Sequence, residues 1–340
     1  MGVQLGQIIT PKEIPLESLK GKRLALDAYN MLYQFLATIR QPDGTPFTGA
    51  TGEVTSHLVG LLYRTTSLVV NGIRPVYSFD GKPSPLKVAT LKTRALVKER
   101  AAREWEEAIK AGDLALAKKK AAQTSRLTDA MVADAKELLD AMGVPWVQAP
   151  SEGEAQAAQM ALRGSVWAAA SEDYDTLLFG TPRLVKGLAA LKPNPRDQGS
   201  VRLLTSEEVL QGFSLSLHEF IVMCLLIGTD FNEGFRGIGP KKALKLAQEH
   251  RSFEETITKV GGDPATLREA LALFESPPYT PDFSLVWKKP QPERVLQVLV
   301  DKHGFDESRI ARTVEKLSHV ELAGEQKALQ MALDDFGGPA

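Results

Sequence analysis

Five short apolar runs in this chain each give way to an acidic residue. Asp27 follows RLAL, Asp80 follows PVYSF, and Glu152 and Glu154 follow VPWVQAPS. Asp173 and Asp175 follow VWAAASE, and Asp230 follows IVMCLLIGT. Stretches of helical spacing separate the earlier runs, a rhythm that predicts an α/β fold with a mostly parallel central sheet. Ligands of such sheets bind beyond the carboxyl ends of the strands. Carboxylates crowded there raise one another's pKa. Hard divalent cations with oxygen ligands, Mg²⁺ or Mn²⁺ before zinc, are their natural partners. The pattern points to a metal-dependent enzyme acting on phosphate esters.

Composition narrows the class. Of 340 residues, 43% are hydrophobic and 24% charged, as in an ordinary soluble protein. The single cysteine, Cys224, excludes a disulfide or Cys-built zinc site within one chain. The five histidines show no HExxH spacing. No 18-residue apolar span or signal-peptide pattern is present, so a soluble cytoplasmic protein without membrane contact is expected. The net charge of −1 by itself argues against nucleic acid. Its distribution argues the other way, because Lys82 to Arg126 holds twelve Lys or Arg against five acids. Such a basic segment beside an acidic centre suits a polyanion held by cations while metals act on one phosphate. For Lys118 to Lys120 alone, a solvated helical face is the simpler explanation.

Residues 1–80 read as βαβ. A strand ends at Leu26, a helix carries Met31, Leu32, Phe35, Leu36 and Ile39, a second helix runs from about 54 to 70, and a strand covers 75–79. Residues 86–128 are helix-forming but poor in large apolar side chains, and are expected to stand off the body as a mobile arch or lid. The rhythm resumes with a helix at 129–142, a strand at 144–147, a helix after Ser151 and a strand at 166–170. An exposed loop is expected at 193–200 and helices from 206 to about 273.

Each motif has a plainer rival. A strand-end aspartate such as Asp27 or Asp80 is often only a helix N-cap. Ser151-Glu152-Gly153-Glu154 fits the capping box S-x-x-E, which would make Glu154 structural and leaves Glu152 the better ligand. Asp173 and Asp175, two apart, share one face of an extended segment, or belong to a turn. Gly237-Ile238-Gly239-Pro240-Lys241-Lys242 opens a helix whose free N–H groups and lysines suit duplex backbone, as in a helix-hairpin-helix-type element. The rival is plain Gly-Pro punctuation. Gln330, Leu333 and Phe336 form a short anchor for a hydrophobic pocket on a partner, or a frayed amphipathic tail.

In order along the chain, LDAYNMLYQFL, TSHLVGLLYRT, GIRPVYSFDGKP, APSEGEAQA, SEDYDTLLFG and GTDFNEGFRGIGPKKA resemble the successive blocks of flap endonucleases of the compact archaeal kind. The resemblance runs from Gly2 to the tail and is weakest over 86–128 and 255–320. It implies a PIN-like 5′ nuclease core over 1–255, with a helical arch at 86–128 and the helix-hairpin-helix-type element at 228–255. A C-terminal region at 256–325 would pack on that core, ahead of a tail at 326–340. It places the metal carboxylates on Asp27, Asp80, Glu152, Glu154, Asp173, Asp175 and Asp230, and the arch cations that reach the scissile phosphate on Lys87 and Arg94. Tyr33 matches a base-stacking aromatic, though with Tyr29 it also reads as helix-packing core. Gly2 matches the small N-terminal residue near the site, and Thr55 lies in the block lining a 3′-flap pocket. GIGPKK matches a K⁺-associated duplex grip. QMALDDFG resembles the box that binds the sliding clamp (PCNA), with Gly337 standing where a second aromatic is usual.

The implied activity is structure-specific 5′ flap endonuclease with 5′-3′ exonuclease action, in Okazaki-fragment maturation and DNA repair by a monomer. Two Mg²⁺ ions, replaceable by Mn²⁺, would clamp one phosphodiester and leave 5′-phosphate and 3′-hydroxyl ends. Asp80, Glu152, Glu154, Asp173 and Asp175 would be inner ligands, and Asp27 and Asp230 would act through water. Two other readings are a metal-dependent RNase or 5′ exonuclease, and a non-catalytic junction-binding scaffold. The scaffold leaves seven acids unexplained.

Overall fold

The computed structural model describes residues 2–190 and 200–320. Seven strands form one sheet: β1 (Lys12–Pro15), β2 (Arg23–Asp27), β3 (Arg74–Phe79), β4 (Trp146–Gln148), β5 (Ala168–Ala170), β6 (Arg183–Lys186) and β7 (Ser200–Thr205). Their order is β1-β7-β6-β5-β2-β3-β4. β2 through β6 are parallel, whereas β7 runs antiparallel to both β6 and β1. The inner strands RLALD, RPVYSF and AAA are buried almost throughout, as a sheet covered on both faces requires. The chain builds β2, β3 and β4 outward in one direction and then returns to place β5 on the other side of β2. The order therefore reverses between β2 and β5, and ligands bind at such a switch point.

Helices α1 (Ala28–Thr38), α2 (Ser56–Val70), α3 (Val88–Lys110), α4 (Leu114–Ala121), α5 (Asp129–Ala141) and α6 (Gly153–Leu162) connect the first strands. Then come α7 (Asp175–Leu178), α8 (Ser206–Phe213), α9 (Leu217–Ile227) and α10 (Pro240–His250). One core gathers α1, α2, α5 and the sheet. It also takes Trp287, Val295, Leu299 and Ile310 from the C-terminal region, and the Trp287 indole donates to the Pro75 carbonyl at 2.8 Å. A second core joins Val3 and Leu5 to α7, α9 and α10.

The helical hairpin of α3 and α4 fills the interval 86–128. It buries alanines, Ala101, Ala108, Ala117 and Ala121, and leaves Leu96 67% and Val97 54% exposed. Its polar ties to the body include the Trp105 indole donating to the Asp43 carbonyl at 3.3 Å, Arg40 Nη2 donating to Ser125 Oγ at 3.0 Å, and Thr90 Oγ1 donating to the Asp230 carbonyl at 2.8 Å. The expectation of a segment that buries little is met.

The apolar run before Asp230 is helix α9, inside the stretch from 206 to about 273 expected to be helical. It is buried on all sides and therefore carries no periodicity, but Ser216 and Glu219 form a capping box at its start. Several expectations need correction. The strands placed at 144–147 and 166–170 are shorter and begin at Trp146 and Ala168. Strands β1, β6 and β7 had no sequence signal strong enough to place them. Of the loop expected at 193–200, only Ser200 is described, and it begins β7. Gln330, Leu333 and Phe336 lie outside the described residues.

Candidate active site

Asp27 ends β2, Asp80 follows β3, Glu152 and Glu154 follow β4, and Asp173 and Asp175 follow β5. Parallel pairing therefore delivers six carboxylates to one end of the sheet, and Asp230 joins them from the end of α9. Asp27, Glu152, Glu154, Asp175 and Asp230 are all buried. The plainer roles are partly real. Asp27 does cap α1, accepting from the Asn30 amide at 3.0 Å. The capping box proposed for Glu154 does not form, because the N-cap of α6 is Glu152, with no side-chain cap bond. Glu154 instead points inward, where its Oε2 accepts from Thr176 Oγ1 at 3.3 Å.

Backbone and side-chain donors fix several of these acids. The Gly153 amide donates to Asp80 Oδ1 at 2.7 Å. Asn30 Nδ2 donates to Asp173 Oδ2 at 3.0 Å, which ties α1 to the turn after β5. The Val3 amide donates to Asp175 Oδ1. A Cβ on Gly2 would lie 2.7 Å from that same oxygen, so Gly2 does approach the acidic cluster and no larger residue fits without a shift. Asp175 Oδ2 is buried and has no hydrogen-bond partner among the described residues.

The root of the α3–α4 hairpin brings the cations. Lys87 Nζ contacts Glu152 Oε2 and lies 3.4 Å from Asp230 Oδ2, and Arg94 Nη2 pairs with Asp230 Oδ1. Tyr33 is half-buried, and Lys98 Nζ of α3 sits 4.6 Å from its ring centroid, so the ring faces the α3–α4 hairpin rather than packing wholly in the core.

The electrostatics follow from this crowding. Burial, then Asp80, hold the Asp27 carboxyl well above its usual range. Burial, then Glu152, raise Asp80 to about 6. Burial and Asp175 raise Glu154, and burial is the main cause that lifts Asp175 to about 7. Asp230 is the exception: burial would raise it, but Lys87 and Arg94 outweigh that and hold it low. Burial opposes the Lys87 charge, yet Glu152, Glu154 and Asp230 raise its pKa.

An all-oxygen donor set, buried, under mutual repulsion and with an unpartnered Asp175 oxygen, fits a hard divalent cation. Among the described residues, no three acidic, His or Cys side chains are already gathered as a ready ligand set. Like charges spread apart, and the Lys87 ammonium stands between Glu152 and Asp230 as their counter-ion.

The remaining sequence candidates lie in two other places. Gly237 has φ +78°, Gly239 caps α10, and a Cβ on either would meet nothing within 4 Å, so this backbone is open to close approach. Lys241 and Lys242 beside them are exposed. Thr55 is buried at the start of α2, and its amide donates to the Phe47 carbonyl at 2.8 Å. Sequence reasoning missed Asn30 and Thr176, which hold Asp173 and Glu154. Asn30 carried a weak signal, standing three residues after Asp27 where a first helical turn brings it back to the cap.

A strand-end carboxylate cluster flanked by cations on a parallel sheet suits a metal-dependent hydrolase of phosphate esters. Residues 1–101 match the XPG N-terminal domain, and residues 143–230 match the XPG I-region. The chain is 46% identical over 332 residues to flap endonuclease 1 of Hyperthermus butylicus, covering 93% of this chain and 94% of that one. It is similar in structure to flap endonuclease-1 from Methanococcus jannaschii, with 40% identity, a TM-score of 0.75, and coverage of 94% and 98%. The catalytic core of Rad2 in complex with DNA substrate shares the fold at 23% identity, a TM-score of 0.69, and coverage of 93% and 100%. The chain belongs to the flap endonuclease family, structure-specific hydrolases of DNA replication and repair. Mg²⁺ dependence is the general expectation for that family. No single helix among the described residues is long and apolar enough to cross a membrane.

Proposed function

We propose that this protein cuts 5′-flap DNA near the junction of single and double strand, with 5′-3′ exonuclease action, leaving 5′-phosphate and 3′-hydroxyl ends. The observation that carries this reading is the delivery of acids from β2, β3, β4 and β5 to one end of the sheet, with Lys87 and Arg94 beside them. Asp80, Glu152, Glu154, Asp173 and Asp175 would hold two Mg²⁺, or Mn²⁺, directly, and Asp27 and Asp230 through water. Bound there, such ions supply Lewis-acid stabilisation of the phosphate and an activated water. Lys87 and Arg94 leave their carboxylates to neutralise charge growing on the phosphoryl oxygens. Tyr33, at the foot of the arch, offers a ring for an unpaired base.

The same reading assigns residues 1–255 to the nuclease core, with the arch at 86–128, and 256–325 to a region packed on it. Gly237, Gly239, Lys241 and Lys242 would grip duplex backbone, with K⁺ at that turn, and Thr55 would help line a 3′-flap pocket. A sliding-clamp contact rests on the sequence of Gln330, Leu333 and Phe336 alone. The test is cleavage of an end-labelled double-flap DNA with and without Mg²⁺, beside a single-stranded control. One Mg²⁺-dependent product cut near the junction supports the reading. Indiscriminate degradation would replace it with a general exonuclease or RNase.

A further inference from the structure

Lys186 is the last residue of β6, is only 3% exposed, and belongs to none of the groups described so far. Burying an ammonium is unfavourable unless its donors are met. Here Nζ donates to the Glu172 carbonyl oxygen and lies 3.7 Å from the centroid of the Tyr174 ring, a cation–π contact. The Glu172 carboxylate is held as well: Oε1 accepts from the Gly187 amide, and Oε2 pairs with Arg202 Nη2 at 3.0 Å. Lys186 thus fixes the residues on both sides of Asp173, while Asn30 holds Asp173 itself from α1. Tyr174 in turn immediately precedes Asp175.

We propose that Lys186 is a positioning residue for the acidic turn, setting Asp173 and Asp175 in the geometry that binds a divalent cation. The inference rests on the reading of those two aspartates as metal ligands. Lys186 touches neither substrate nor reacting atoms and acts only through Glu172 and Tyr174. Groups that orient metal ligands in this way typically contribute about 10–100-fold in metal affinity. A lysine serving packing alone would change stability and leave metal affinity where it was.

The experiment compares the full chain with Lys186→Met and Lys186→Arg. Mn²⁺ binding is followed without DNA by the electron paramagnetic resonance of free Mn²⁺, and single-turnover flap cleavage is measured against Mg²⁺ concentration. For Lys186→Met, the Mn²⁺ Kd and the half-saturating Mg²⁺ should both rise by about 10-fold or more. The rate at saturating Mg²⁺ should recover in part, flap-DNA affinity in Ca²⁺ should stay within about twofold, and Lys186→Arg should restore much of the loss. Unchanged Mn²⁺ affinity, with activity lowered equally at all Mg²⁺ concentrations, overturns the proposal. Wild-type protein that binds no Mn²⁺ overturns the metal-site reading and this inference together. If Lys186→Met does not fold, Tyr174→Leu, which removes the ring beneath the ammonium, decides by the same two titrations.

Discussion

Asp80 Oδ1 accepts a 2.7 Å hydrogen bond from the amide of Gly153, the residue that opens the helix carrying Glu154. One contact thus locks the acid after β3 to the acids after β4. Space at Gly153 is tight, since a Cβ there would lie 2.7 Å from the Ser78 carbonyl oxygen and 2.8 Å from Asp80 Oδ1. Gly153→Ala should therefore cost about 1–3 kcal/mol, an overpacking penalty against backbone. It should also push Asp80 out of register and slow cleavage. Thermal unfolding and single-turnover rates check both, and a variant as stable and fast as the parent would refute the coupling.

Asp175 makes a pH prediction with a definite sign. In the folded chain, burial and neighbouring carboxylates keep it protonated up to about 7, against an ordinary value of 3.8. Between those values the folded state binds more protons than the unfolded, so this group's contribution to stability grows as pH falls from 7 toward 4. His57 opposes it, because burial lowers that imidazole to about 4 and acid then favours unfolding. A difference measurement separates the two. Asp175→Asn should exceed the parent in metal-free stability at pH 8 by on the order of 4 kcal/mol, with the gap roughly halved at about pH 5.5 and closed near about pH 4. Mg²⁺ at pH 8 should raise the melting temperature of the parent more than that of the variant. A gap independent of pH would sink the argument.

Lys87 is nearly buried against Glu152 and Asp230. Lys87→Met should lower single-turnover cleavage by about 10²–10³-fold, the scale of losing one donor to transition-state charge. Flap-DNA affinity should change little, because only one phosphate contact is lost. A variant that cleaves at the parent rate would remove Lys87 from the chemistry.

Most of the site was legible in the sequence because its geometry comes from topology. A parallel strand puts its last residue at the carboxyl edge, so RLAL-Asp27 and PVYSF-Asp80 disclose position as well as identity. What could not be read depends on contacts between distant segments. Lys186 reaches Glu172 only because β6 pairs with β5, and β6 itself is too short to signal. The buried helix before Asp230 reads as helical although its run is apolar on most sides, and the capping box of Ser216 and Glu219 marks its start. β7, paired with both β1 and β6, escapes notice because alternate residues such as Ser200 and Arg202 are polar and exposed.

Lys241 and Lys242 stand exposed at the start of α10, beside the open backbone of Gly237 and Gly239. On the proposed reading, contacts made there would be with phosphates rather than base edges and should set affinity without setting sequence preference. Replacing both lysines by Ala should weaken flap and plain duplex DNA alike. Each lost phosphate contact removes one released counter-ion, so the slope of log K against log salt should become shallower by up to about 1.8. Cleavage at saturating protein should stay near the parent rate, because neither lysine stands among the carboxylates. Fluorescence anisotropy across a salt series gives the slope. A loss confined to flap DNA, with an unchanged slope, would mean that this element reads the junction rather than the duplex.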